Sequence, residues 1–148
     1  MKVFLGSSSS PQSLNDLRRI AMLIEEEGHT PLPWNKTGVF PLGNYVAESL
    51  RNICKQVDAA ILIFNEDDQV WYRNDYALQP RDNVVYEYGL FEGHLGAKRT
   101  IICRRGSPKI ASDLQGIVYC DLDRGEYRAE NELVEWLRFL TAMKLANG

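Results

Sequence analysis

Asp58-Ala59-Ala60-Ile61-Leu62-Ile63-Phe64 carries no polar side chain after its first residue. A strand with one wet face alternates polar and apolar residues; a strand covered on both faces does not. The run therefore reads as the central strand of a parallel sheet with helices on both sides. It is also the longest apolar run of the chain, far short of the roughly 18 residues that a membrane-crossing helix needs.

Toward the N-terminus, Lys2 to Gly6 reads as a short buried strand, and Gly6-Ser7-Ser8-Ser9-Ser10-Pro11 as a turn into a helix. Ser10 is placed to cap that helix and Pro11 to occupy its first position. Leu14, Leu17, Ala21 and Ile24 repeat at helical spacing up to Gly28, a left-handed stop. His29 to Trp34 gives a second strand, Asn35 to Gly43 a glycine- and proline-rich loop, and Tyr45, Leu50, Ile53 and Val57 a second helix.

Toward the C-terminus, Asn65 to Arg81 reads as one long loop, and loops after the C-terminal ends of strands tend to carry function. A helix from Asn83, a strand over Arg99 to Cys103, a loop to Gln115, a strand over Gly116 to Cys120 and a last helix carrying Leu133, Trp136, Leu137, Leu140 and Met143 complete the chain. The result is an α/β fold: a doubly wound five-stranded parallel sheet with helices on both faces.

With 148 residues, 45% of them hydrophobic, the chain fits one domain with its own core. A net charge of -3 offers no basic stripe for a nucleic acid to grip, while a small anionic ligand needs only a few donors. Cys54, Cys103 and Cys120 are odd in number and lack a CxxC spacing, which fits reduced, buried thiols. The two histidines stand on distant segments, so no metal-ligand spacing is present. Met1 runs directly into a strand without a signal peptide, and a cytoplasmic location with no membrane partner is expected.

In an open parallel sheet, ligands bind outside the strand C-termini. Gly6, Ser7 and Ser8 open a helix there, and the same residues also serve plain capping and turn formation. Trp34 and Phe40 bracket the second loop, placed either to stack on a ring or to anchor the loop. Asp67 and Asp68 follow the central strand; ribose hydrogen bonds and a solvated turn are both open to them. At about 100° per residue, Val84, Tyr88, Phe91 and Leu95 form one apolar stripe, with Asn83, Glu87 and His94 on its flank. An early-turn carboxylate such as Glu87 can simply complement the helix dipole. Its neighbours Arg81, Asp82 and Asn83 crowd the same helix start, and Gly89, Gly93 and Gly96 point to close approach by another backbone.

Taken together, Val3 to Ser9, Trp34 to Phe40, Asp58 to Phe64 with Asp67-Asp68, the block Arg81-Asp82-Asn83-Val84-Val85-Tyr86-Glu87-Tyr88-Gly89-Leu90-Phe91, and Ser112 to Gly116 form an ordered set. The set resembles the bacterial TIR-like domain of anti-phage effectors, including TIR-STING proteins and Pycsar TIR effectors, over nearly the whole chain. The resemblance implies a flavodoxin-like TIR fold and NAD⁺ glycohydrolase activity with Glu87 as the catalytic residue. It further implies NAD⁺ as substrate with no separate cofactor, self-association into oligomers or filaments, and activation by a cyclic nucleotide through a separate sensor domain. Residues 1–148 would then be the TIR-like domain, either complete or part of a longer effector. Gly6, Ser7 and Ser8 would hold phosphate or ribose, Trp34 and Phe40 would face a ring, Asp68 would contact ribose, and Arg81 and Asn83 would position Glu87 or the diphosphate. One carboxylate suffices for such a reaction, because nicotinamide leaves as a neutral pyridine and needs no general acid. A nucleoside deoxyribosyltransferase-like N-glycosidase and a non-catalytic TIR self-association module are the alternatives.

Overall fold

The computed structural model describes residues 1–147. Strand β1 (Lys2–Gly6) leads through helix α1 (Pro11–Glu26) to β2 (Thr30–Pro33), and helix α2 (Val46–Gln56) leads to β3 (Ala59–Phe64). Strands β4 (Asp68–Tyr72) and β5 (Asp75–Gln79) precede helix α3 (Asp82–Leu95); β6 (Thr100–Arg104), β7 (Cys120–Asp121) and helix α4 (Glu126–Asn147) follow. The main sheet has the order β2-β1-β3-β6-β7 and is parallel throughout. This is the five-stranded α/β architecture expected.

Alternate residues of the central strands supply two cores. Val3, Leu5, Ala59, Ile61 and Ile63 face α1 and α4, where Leu17, Ile24, Leu137 and Leu140 close over them. Phe4, Ala60, Leu62 and Phe64 face α2 and α3, meeting Ile53, Val84, Tyr88 and Phe91. All six residues of β3 are fully buried, as its unbroken apolar run requires. The rings of Phe4 and Phe91 stack with centroids 4.4 Å apart, fixing α3 across the end of β1. Ser10 caps α1 by accepting from the Ser13 N–H at 3.3 Å, with Pro11 at the first helical position.

Three expectations change. The segment 65–81 is not one loop: most of it is the antiparallel hairpin β4–β5, turned by Arg73 and Asn74, both at positive φ. Two consecutive left-handed residues make a turn whose twist matches the paired strands, and asparagine tolerates that backbone well. The hairpin exposes Trp71, Tyr72 and Tyr76, so no buried alternation marks it in the sequence. The last strand is only Cys120–Asp121, because Gly116 turns at φ +88° and leaves the preceding residues unpaired. Finally, no other backbone approaches Gly89, Gly93 or Gly96; a Cβ added at any of them meets open space.

The connection from β1 runs outward to β2 on one side, and the return through α2 places β3 on the other. The C-terminal ends of β1 and β3 therefore flank the point where the winding reverses, which leaves a crevice. The three cysteines are buried and unpaired. No helix among the described residues is long and apolar enough to cross a membrane.

Candidate active site

The crevice at the end of β1 is a cavity of about 380 Å³. The serine turn supplies Ser7, Ser8 and Ser9; the loop after β2 supplies Trp34 and Phe40; the start of α3 supplies Arg81, Asn83 and Glu87. These come from three separate connections, and the sheet order brings them to one place.

Glu87 reaches back over the end of β1. A Cβ built on Gly6 would stand 2.5 Å from Glu87 Oε2, so glycine there is what admits the carboxyl group. Among the described residues, Oε2 is buried without a hydrogen-bond partner. Loss of hydration without compensation disfavours the charged form. Burial accordingly raises the Glu87 pKa from its ordinary 4.5 to about 7. A half-buried carboxyl on the flank of α3, lacking any structural partner, is not explained by a helix-dipole role.

The walls around it are held rigidly. The Trp34 indole N–H donates to Ser7 Oγ at 2.9 Å, and Ser7 Oγ donates to the Ser8 carbonyl at 2.8 Å. Ser8 Oγ donates to Asp67 Oδ1 at 2.6 Å, and the Arg81 backbone N–H donates to Asp67 Oδ2 at 3.2 Å. Asp67 thus ties the serine turn to the first residue before α3. Of the acidic pair, Asp68 was the substrate-contact candidate, yet it stands outside the residues lining the cavity and pairs with Arg81 at 3.5 Å. Asp67 lies just before β4, its N–H on the Gln79 carbonyl at 3.1 Å, and its carboxylate turns to the serine turn, whereas Asp68 is the strand's first residue and its carboxylate meets Arg81.

Arg81 and Asn83 line the cavity but make no hydrogen bond to Glu87, so the structure gives them no hold on that carboxylate. Arg81 instead donates to Ser9 Oγ at 3.3 Å, leaving its half-exposed guanidinium at the rim. His94, on the same helical flank in projection, borders a separate surface cavity with Glu48, Arg51 and Lys55. Among the described residues, no cluster of three or more His, Cys, Asp and Glu side chains is placed to hold a metal ion.

A family profile described as "CAP12/Pycsar effector protein, TIR domain" matches residues 2–124. The chain belongs to this CAP12/Pycsar effector TIR family. CD-NTase-associated protein 12 of Sphingobacterium faecium is 32% identical over 139 residues, 93% of this chain and 42% of that protein. The Pycsar effector protein BcPycTIR of Burkholderia cepacia is 35% identical over 119 residues, 79% of this chain and 38% of its own length. This TIR chain therefore spans about two fifths of the length of the relatives it matches. Among solved structures, a 2-deoxyribosyltransferase from Bacillus psychrosaccharolyticus aligns over 77% of this chain and 79% of that one, at 15% identity and a TM-score of 0.48.

Proposed function

We propose that this TIR domain is an NAD⁺ glycohydrolase acting in anti-phage defence, with Glu87 as its catalytic residue. The supporting observation is the buried, unpartnered Glu87 oxygen above Gly6, facing a cavity whose other walls are hydroxyls, two aromatic rings and an arginine.

In this reading the nicotinamide-ribose bond lies over Glu87. Trp34 and Phe40 flank a ring, Ser9 and Arg81 meet the diphosphate at the rim, and Ser7 and Ser8 shape the wall through their internal hydrogen bonds. The substrate's positive charge favours ionisation of Glu87 when it binds. As the C–N bond breaks, its electron pair goes to the pyridine nitrogen, and the carboxylate stabilises the oxocarbenium-like ribose in a site with little water. Water then forms the new C–O bond, and its proton leaves through Glu87 to solvent. The products are ADP-ribose, nicotinamide and one proton. Self-association would concentrate and complete such sites. A cyclic-nucleotide sensor in the remaining length of a full effector would control it, in the cytoplasm where NAD⁺ is found.

The test is nicotinamide release from NAD⁺ by the chain when clustered on a scaffold, with deoxynucleosides as competing substrates. Release from NAD⁺ that Glu87→Gln abolishes supports the proposal. Base release from deoxynucleosides alone selects the N-glycosidase alternative, and undiminished release by Glu87→Gln removes the assigned role.

A further inference from the structure

Asp67, between β3 and the hairpin, divides its two carboxylate oxygens between separate elements. Oδ1 accepts from the Ser8 hydroxyl at 2.6 Å and Oδ2 from the Arg81 N–H at 3.2 Å. A hydroxyl carries one hydrogen, and a bond that short to a carboxylate claims it. Ser13 Oγ, 3.1 Å from Ser8 Oγ, is therefore the donor to Ser8, and the Asn65 side-chain amide donates to Ser13 Oγ at 3.3 Å. The bonds run one way, from Asn65 through Ser13 and Ser8 to Asp67, and each polarises the next. They join the end of β3, helix α1, the serine turn and, through Arg81, the start of α3. Ser8 is 3% exposed and Ser13 is fully buried, so water does not stand in for a lost link.

The two ends that Asp67 joins are the two that enclose Glu87. Gly6 opens the serine turn, and Arg81 precedes the helix on which Glu87 stands. Glu87 Oε2 fits only because Gly6 has no side chain; a Cβ there would stand 2.5 Å away. At so close a fit, movement of the serine turn away from α3 lets water reach Oε2. Burial is what raises the Glu87 pKa to about 7, so that movement would also return the carboxyl toward its ordinary 4.5. Arg81 is the other charged side chain of the cavity, and Asp67 itself does not line it.

We propose that Asp67 is a positioning residue for Glu87: it clasps the serine turn to the start of α3 and so keeps the Glu87 carboxyl dry and aligned with the cavity. It acts through Ser8 and Arg81, and its part in catalysis rests on the reading of Glu87 as the catalytic residue.

Two measurements on the intact chain test this. One is the Glu87 titration, followed by NMR of carbon-13-labelled glutamate carboxyls and assigned by the signal that Glu87→Gln removes. The other is kcat and KM for nicotinamide release by the clustered chain. Asp67→Ala should lower the titration midpoint by about one pH unit or more and kcat by about 10- to 100-fold, with KM changed less than about threefold because no substrate contact is lost. Ser8→Ala cuts the same clasp from its other end while the Asp67 charge stays, and its midpoint should fall as well. Loss of a nearby negative charge would by itself lower the midpoint, so Asp67→Asn separates the causes. It removes the charge but keeps Oδ1 as acceptor for Ser8, and its shift should be clearly smaller than that of Asp67→Ala. Leu140→Val weakens the core on the opposite face of the sheet and should leave the midpoint in place.

An unmoved midpoint in both Asp67→Ala and Ser8→Ala, an equal shift in Asp67→Asn, or the same shift in Leu140→Val would each overturn the role. If the parent chain releases no nicotinamide, the catalytic reading of Glu87 falls, and the titration alone decides whether Asp67 holds its carboxyl. Circular dichroism of every variant verifies the fold.

Discussion

Replacing Glu87 by glutamine mimics the protonated acid at nearly constant volume, and its effect on stability depends on pH in a calculable way. In the unfolded chain the carboxyl titrates near its ordinary 4.5; in the folded protein burial moves it to about 7. Well below 4.5 the group is protonated in both states and contributes nothing. Between those values the folded state holds the proton more tightly, so the native protein loses stability as pH rises. Above 7 the group is ionised in both states and the full penalty stands. A displacement from 4.5 to about 7 corresponds to roughly 3 kcal/mol, and the change between pH 5 and pH 8 to roughly 2.5 kcal/mol. Glu87→Gln should therefore be more stable than the parent by under about 1 kcal/mol at pH 5 and by about 3 kcal/mol at pH 8. Urea unfolding of both proteins at the two pH values measures this directly. An equal gain at both, or no gain, would refute the claim that the carboxyl is buried without compensation. If Glu87 acts as proposed, kcat/KM for nicotinamide release should rise with pH through about 7 and then level, because the free site loses its proton there.

Gly6→Ala places a methyl group 2.5 Å from Glu87 Oε2 and from Leu62 Cδ1; it should cost about 1–3 kcal/mol in thermal unfolding and depress nicotinamide release. Asp67→Ala removes the acceptor shared by Ser8 and Arg81 and should cost about 1–3 kcal/mol, while Asp68→Ala, which loses only a half-exposed ion pair, should shift stability by under about 1 kcal/mol. Asp16 is 3% exposed and takes Arg105 Nε at 2.6 Å, so Asp16→Ala should cost about 3 kcal/mol in urea unfolding, near the low end for a broken buried pair because Asp123 still faces Arg105.

The main sheet was legible because burial on both faces leaves an unmistakable mark: β3 cannot afford a polar residue, and its sequence has none. The stripe Val84, Tyr88, Phe91 likewise announced the buried face of α3 and put Glu87 at its edge. The hairpin β4–β5 escaped because it is stabilised mainly by its own pairing and turn, with aromatic side chains left in solvent. At the site, residue types were readable but partnerships were not. Which of Asp67 and Asp68 ties the serine turn to α3 depends on where β4 begins, and the unpartnered state of Glu87 depends on a glycine 81 positions away in sequence. The glycines at 89 and 93 remain without a structural reason.

The concealment of all three native thiols gives experimenters a chain that is silent toward alkylating dyes while folded. A cysteine placed at Asn74, on the exposed hairpin turn, becomes the single reactive handle and leaves the Glu87 cavity untouched. Donor and acceptor dyes on that handle would report contact between copies of the chain as energy transfer, in real time.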